Sequence, residues 1–322
     1  MEDIDDRPWT EKYRARALNE IVGHEKIIKS LQIYVQEKKF PHLLFAGPAG
    51  TGKTSTAYAF TNDLMGGRIT QDSFLELNAS DANSIEDMRT KVKVFATQHS
   101  VIPSEFKIIL LDEADNMSHD AQSALRRIME TGNFRARFII LCNFPNRIIP
   151  PILSRCAVFR FPRLPEHFVA SKLKQIAERE RAKLPPEVFS QIHLLTRGDM
   201  RQAVTLLQVV VDYLKEALLV GDPLFELAGY LPPSFLDNFL ERLRTKPFSE
   251  IKEAFLEVVA GKSSRNVLLQ LMALVSRAKL NNQSLATLLD DLACCDYYLT
   301  EGATERVQFA GLAAHLSEFF KP

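Results

Sequence analysis

The sequence predicts an α/β domain built on a parallel sheet, followed by two segments made of helices alone. Three observations carry this. Apolar runs of strand length recur at His42–Ala46, Phe74–Asn78, Phe106–Asp112, Phe138–Asn143 and Ala157–Phe161, with helical stretches between them. Short runs apolar on both faces and separated by helices belong to βαβ units. The first run leads through "AGPAGTGKTSTAYAF" into a helix, and after Pro162 no strand-like run follows.

The helical segments differ in pattern. "EHFVASKLKQIAERERAKL" places Phe168, Val169, Leu173, Ile176 and Ala177 at helical spacing, and "PPEVFSQIHLLTRGDMRQAVTLLQVVVDYL" supplies two more helices. "LLVGDPLFELAGYLPP" brings Gly and Pro together and reads as a connector. From Ser234 onward the chain reads as helices throughout. "VLLQLMALVSRAKL" and "LATLLDDLACCDYYL" are apolar over a wide arc, so they are buried on more than one side, either in a lone bundle or against identical bundles.

Composition narrows the class. With 322 residues, 46% hydrophobic and 25% charged, the chain has the profile of an ordinary globular protein of two or three domains. The four cysteines show no CxxC spacing and the seven histidines are scattered, which argues against structural zinc. The start "MEDIDDRPW" is acidic rather than apolar, unlike a signal or transit peptide. No apolar run reaches the ~18 residues of a membrane span. Reduced thiols and an intracellular location without membrane contact are expected. Forty basic residues balance forty acidic ones, yet Arg126, Arg127, Arg135, Arg137, Arg147, Arg155, Arg160 and Arg163 crowd one stretch with a single acid, Glu130. Arginine without lysine suits planar contacts to phosphate or carboxylate, although a solvated helix face also fits.

Gly47-Pro48-Ala49-Gly50-Thr51-Gly52-Lys53-Thr54 matches G-x-x-x-x-G-K-[ST] between a predicted strand and a predicted helix, the context this phosphate-binding motif requires. Its glycines let backbone N–H groups wrap a phosphate at a helix N-terminus. Lys53 is then placed to reach the β- and γ-phosphates of ATP, and Thr54 to ligate Mg²⁺. In "IILLDEAD" Asp112 ends a strand, where it holds Mg²⁺ through water, and Glu113 is placed to polarise the attacking water. The letters DEAD do not make a helicase, because no second α/β domain follows. Asn143 ends the next strand as a turn former or as a residue that orients the water. Arg201, after "TRGD", is a surface arginine or one that closes over the γ-phosphate. Arg155, in "PPILSRC", lies beyond that strand and is suited to reach a neighbouring subunit's γ-phosphate.

"RPWTEKYRARALNEIVGHE", "PHLLFAGPAGTGKT", "FLELNASD", "IILLDEADNMSHDAQSALRRIME", "LCNFPNRIIPPILSRCAVFRF" and "RGDMRQAV" stand in one order from Arg7 to about Leu207. Together they resemble the small subunits of replication factor C, clamp loaders of the AAA+ ATPase superfamily, most closely the archaeal type. The resemblance implies an α/β P-loop (AAA+) domain over 1–162, a small helical lid domain over 163–222 and an all-helical collar domain over 223–322. It implies a DNA-stimulated ATPase whose active site is completed in trans. It also implies a five-membered spiral with a large subunit and other small subunits, which opens a PCNA-type sliding clamp and loads it on primer–template DNA. In an archaeon the site of work is the nucleoid-associated cytoplasm; in a eukaryote, the nucleus.

Carried over residue by residue, Lys53, Asp112, Glu113, Asn143, Arg155 and Arg201 form the catalytic set. The nucleotide contacts are Thr10, Val22, Gly47, Pro48, Ala49, Gly50, Thr51, Gly52, Lys53, Thr54, Ser55, Asn143 and Arg201. Thr54 and Asp112 hold the metal, and Arg89, Lys91, Gln122, Arg126 and Arg127 contact DNA. Two departures stand out. After "NASD" the family carries an acid, Arg and Gly where this chain has Ala82, Asn83 and Ser84, which implies weaker DNA contact and a second, specialised paralogue. Ala15 replaces the family's proline, with a modest loosening of the chain near the adenine pocket expected.

Overall fold

The computed structural model describes residues 7–79, 90–95, 107–130, 136–213, 221–278 and 280–320. The chain divides into two compact units, 1–209 and 210–322.

The first unit is organised by five strands, β1 His42–Ala46, β2 Phe74–Asn78, β3 Lys107–Asp112, β4 Ala136–Cys142 and β5 Cys156–Arg160. All pairings are parallel and the order is β2-β3-β4-β1-β5. Alternation of side chains sorts the apolar runs onto two faces. Leu44, Ala46, Ile109, Leu111, Phe138, Ile140 and Cys142 face one core. Leu43, Phe45, Ile108, Leu110, Ile139 and Leu141 face the other. Helices α2 Glu25–Glu37 and α3 Lys53–Leu64 contribute Ile28, Leu31, Ala57, Phe60 and Leu64 to the second face. Helix α4 His119–Glu130 contributes Ala121, Leu125, Ile128 and Met129 to the first. A short helix α1, Trp9–Lys12, precedes them, and another, α5 Pro150–Leu153, enters β5.

Strand register explains why the predicted site residues converge. Ala46 lies beside Cys142 and Leu111 beside Ile140, so Gly47, Asn143 and Asp112 emerge at one edge of the sheet. Asn143 follows β4 rather than ending it, and the fifth strand starts one residue earlier than expected, at Cys156. Phe106 lies outside the described residues.

Three helices complete this part: α6 Glu166–Arg179, α7 Pro186–Thr196 and α8 Met200–Tyr213. Val169, Leu173, Ile176 and Ala177 bury the expected stripe of α6. In the second unit, part of the expected connector folds instead into α9, Asp222–Leu227. Gly221 enters it at φ 74 and Pro223 occupies the first turn, where a missing N–H is harmless. Helices α10 Pro233–Thr245, α11 Phe248–Val259, α12 Ser264–Arg277, α13 Asn282–Thr300 and α14 Glu305–Phe320 follow. Their core stacks Phe239 on Phe255 with ring centroids 5.1 Å apart, and Phe309 meets Phe255 edge-on at 6.0 Å. Leu289, Tyr297, Tyr298 and Val307 stay exposed on α13 and α14.

Candidate nucleotide site and arginine face

The loop between β1 and α3 wraps because two glycines leave room for other chain atoms. A Cβ on Gly47 would lie 2.1 Å from the Phe161 carbonyl oxygen, and one on Gly50, at φ 70, would lie 1.8 Å from the Asp199 carboxylate. Lys53 is buried beneath this loop. Its Nζ donates to the carbonyls of Gly47 at 2.7 Å and Pro48 at 2.8 Å, and to Asn143 Oδ1 at 3.0 Å. Burial lowers the Lys53 pKa from its ordinary value; Asp112 opposes the shift and Arg201 adds to it.

The carboxyl edge of β3 supplies the acids. Thr54 Oγ1 donates to Asp112 Oδ2 at 3.2 Å, and Asp112 Oδ1 accepts from the Glu113 backbone N–H at 2.8 Å. Hydroxyl and carboxylate oxygens side by side suit Mg²⁺, which takes few protein ligands and fills its shell with phosphate and water. Glu113 sits at φ 54, a left-handed conformation rare outside glycine. Backbone strain of this kind gathers at functional sites. Its Oε2 accepts from Asn116 Nδ2 at 3.3 Å.

Asp115, the last letter of DEAD, was not singled out by sequence reasoning. It is 5% exposed, and its two carboxylate oxygens accept from the backbone N–H groups of Asn143 and Phe144 at 3.2 and 3.1 Å. It therefore pins the turn that presents the Asn143 amide to Lys53. The only available signal was an acid three residues beyond a strand end.

Helices α6 and α8 supply the other wall through Lys172, Met200, Arg201 and Val204. Asp199 caps α8 by accepting from Gln202 N–H at 3.0 Å, and the next N–H, of Met200, donates to the Gly50 carbonyl at 2.9 Å. Arg201 on that first turn lines the same cavity of about 230 Å³ as Thr10, Val22, Ala49, Lys53, Thr54, Asp112, Glu113 and Asn143. Gly50, Thr51, Gly52 and Ser55 line it too, as does Ala15. Gly47 and Pro48 contribute their carbonyls to Lys53 rather than to the lining. His24, also unforeseen, holds the Thr51 carbonyl with Nε2 at 2.9 Å and packs edge-on to Phe161; burial lowers its pKa.

Other predicted residues stand apart from this cavity. Arg155 lies outside it, with Nη2 on Glu130 Oε1 at 2.5 Å and Nη1 on the Pro151 carbonyl at 2.7 Å. Arg126 and Arg127 on α4 and Lys91 are exposed. Gln122, expected as a DNA contact, points into the domain. It is 3% exposed and its amide is engaged internally: Nε2 donates to the carbonyls of Met117 and Arg147, and Oε1 accepts from Ile149 N–H. Arg89 and the Ala82-Asn83-Ser84 departure lie outside the described residues.

A phosphate loop after β1, an acid pair at the end of β3, an Asn after β4 and an Arg on a closing helix define a P-loop ATPase of the AAA class. The profile "ATPase family associated with various cellular activities (AAA)" matches residues 43–164, and "Replication factor C C-terminal domain" matches 231–315. The replication factor C small subunit of Methanococcus vannielii is 37% identical over 312 residues, covering 96% of this chain and 98% of its own. That of Archaeoglobus fulgidus is 38% identical, covering 97% and 98%, and that of Staphylothermus marinus 39% identical, covering 96% and 94%. The chain belongs to the replication factor C small-subunit family, a clamp-loader component of DNA replication. Among solved structures, the Thermotoga maritima RuvB Holliday junction branch migration motor superposes with TM-score 0.56 at 16% identity over 80% of this chain and 91% of its own, a likeness of fold alone.

Proposed function

We propose that this chain hydrolyses ATP at a site it shares with the next subunit, and that the cycle opens a PCNA-type sliding clamp and loads it on primer–template DNA. One observation supports the reading: Lys53, Thr54, Asp112, Asn143 and Arg201 line one cavity, while Arg155 lies outside it on Glu130. In this reading the 47–55 loop holds the phosphates, Thr10 and Val22 receive the adenosine end, and Glu113 accepts a proton from the attacking water. Asn143 orients that water, and Arg201 registers the γ-phosphate from the lid. Mg²⁺, held by Thr54 and Asp112, would neutralise charge on the β- and γ-phosphates. Arg155 serves the neighbour's γ-phosphate.

The partners that follow are a large subunit and other small subunits in a five-membered spiral, working on nucleoid DNA in an archaeal cell. The domain plan is 1–162 for nucleotide binding, 163–222 for the lid and 223–322 for the collar. The altered residues after "NASD" favour a specialised paralogue, and native mass spectrometry of the assembly should find one copy. Function itself is tested by steady-state ATP turnover of the assembly with primed DNA and clamp, singly and together. Joint stimulation is expected; turnover indifferent to both would defeat the reading.

A further inference from the structure

Glu130 is the single acid in a stretch of eight arginines, and the fold applies it to two of them. It ends helix α4. Its Oε1 accepts from Arg126 Nε at 2.8 Å, one helical turn earlier, and from Arg155 Nη2 at 2.5 Å, 25 residues later. Arg155 Nη1 meanwhile donates to the Pro151 carbonyl at 2.7 Å and lies 3.4 Å from Ser154 Oγ. The guanidinium is planar with five N–H donors in a fixed fork. Contacts on both terminal nitrogens fix its plane and, among the described residues, leave Nε–H and one Nη2 hydrogen for an outside acceptor. Exposed ion pairs of this kind contribute little to stability. What the contacts define is direction.

We infer that Glu130 is the positioning residue for Arg155, and that it ties the aim of this arginine to helix α4, which carries Arg126 and Arg127. The inference rests on the proposed reading of Arg155 as the donor to a neighbour's γ-phosphate. A phosphate backbone that engages α4 would act on the same helix that holds Arg155. DNA contact and completion of the neighbouring active site would thereby share one carboxylate. Misplacing a catalytic group by about 1 Å costs up to about a hundredfold in rate. Losing the anchor should therefore have an effect much larger than its contribution to stability.

The test uses the full assembly carrying Glu130→Ala or Glu130→Gln in this chain, with ATP turnover measured with and without saturating primed DNA. Glu130→Ala is expected to lower kcat at the site that Arg155 serves by about ten- to a hundredfold with KM nearly unchanged, to bring the stimulation of that site by DNA toward one, and to leave the melting temperature unchanged. Glu130→Gln, which keeps an acceptor and loses the charge, should recover part of both. Wild-type kcat with wild-type stimulation would overturn the inference, as would a lower melting temperature with the stimulation ratio intact. Arg155→Ala, measured in parallel, separates the two levels. If it abolishes turnover while Glu130→Ala does not, only the role of Glu130 falls. If it is inert, the trans reading falls and this inference with it.

Discussion

The nucleotide cavity and the arginine face around Arg155 balance their charges in different ways. In the cavity the buried cation and its neighbours are answered from within the chain: Lys53 by three oxygens, Thr54 by Asp112, the Asn143 turn by Asp115. On the arginine face one carboxylate serves two guanidinium groups, Arg126 and Arg155. A buried cation without acceptors is too costly to keep, so the cavity had to be balanced internally. An exposed surplus is tolerated in water and remains available to an anion from elsewhere. On the proposed reading, the difference separates residues that act through partners in this chain from residues that also act on a neighbour or on DNA.

Breaking the second region should have the larger effect on turnover. Arg155→Ala in the assembly is expected to lower turnover at the one neighbouring site it serves about a thousandfold or more, the scale of losing an arginine finger, with nucleotide affinity of the same chain unaltered. Equal turnover by wild type and variant, read by phosphate release, would erase the distinction between the two regions.

Within the cavity, Asp115→Ala removes a buried acceptor from two backbone N–H groups. Hydrogen bonds to charged groups contribute about 1.5–3 kcal/mol each, so a loss of about 3 kcal/mol in unfolding free energy is expected. Turnover should fall further than ATP affinity does, because Asn143 loses its anchor while the phosphate loop stays. Urea unfolding and single-turnover kinetics check the two parts. A variant as stable as wild type would mean that the Asn143 turn needs no such support.

The contrast also explains what the sequence could convey. Strand ends, the phosphate loop, Asp112, Glu113 and Asn143 were legible because the sheet repeats one spatial rule: residues after the last apolar position of a parallel strand collect at one edge. Asp115 and His24 were not, because their partners are backbone groups 27 to 29 residues away, which no local pattern encodes. Asp199 was within reach as an N-cap, although its second use, filling the space beside Gly50, was not. Gln122 shows the reverse tension. The resemblance assigned it to DNA, yet the spacing Ala121, Leu125, Ile128 already put it on the apolar face of α4.

Not every arginine of the 126–163 stretch faces outward, and pH can sharpen the comparison there. Arg137 is consumed by the sheet: Nε donates to the Phe40 carbonyl at 3.0 Å. The neighbouring His42 accepts the Phe138 N–H on Nδ1 at 3.1 Å, so it must stay neutral, and burial aided by Arg137 pushes its pKa down to about 4. The unfolded chain takes up a proton near its ordinary 6.5, so this group's contribution is intact above that pH. It is lost as pH falls from about 6.5 to about 4, a span of at most about 3 kcal/mol and less where solvent screens the half-buried ring. His42→Asn, which keeps an acceptor without titrating, should flatten the fall in melting temperature across that window. Parallel curves for the two proteins would refute the assignment.

The smallest effects separate the two α4 residues that the resemblance grouped together. Gln122→Ala opens three internal hydrogen bonds and should cost about 1–3 kcal/mol of stability with no change in how DNA affinity responds to salt. Arg126→Ala should do the opposite. Arg126 is exposed and paired with Glu130, and surface pairs of this kind are worth at most about 1 kcal/mol, so the melting temperature should barely move. A guanidinium that neutralises one phosphate releases about one counterion, so the slope of log Kd against log salt should shrink by about 0.9. Fluorescence anisotropy of primed DNA over a salt series reads this directly. An unchanged slope for Arg126→Ala would place the DNA backbone elsewhere, and a changed one for Gln122→Ala would mean that its side chain leaves the interior when DNA binds.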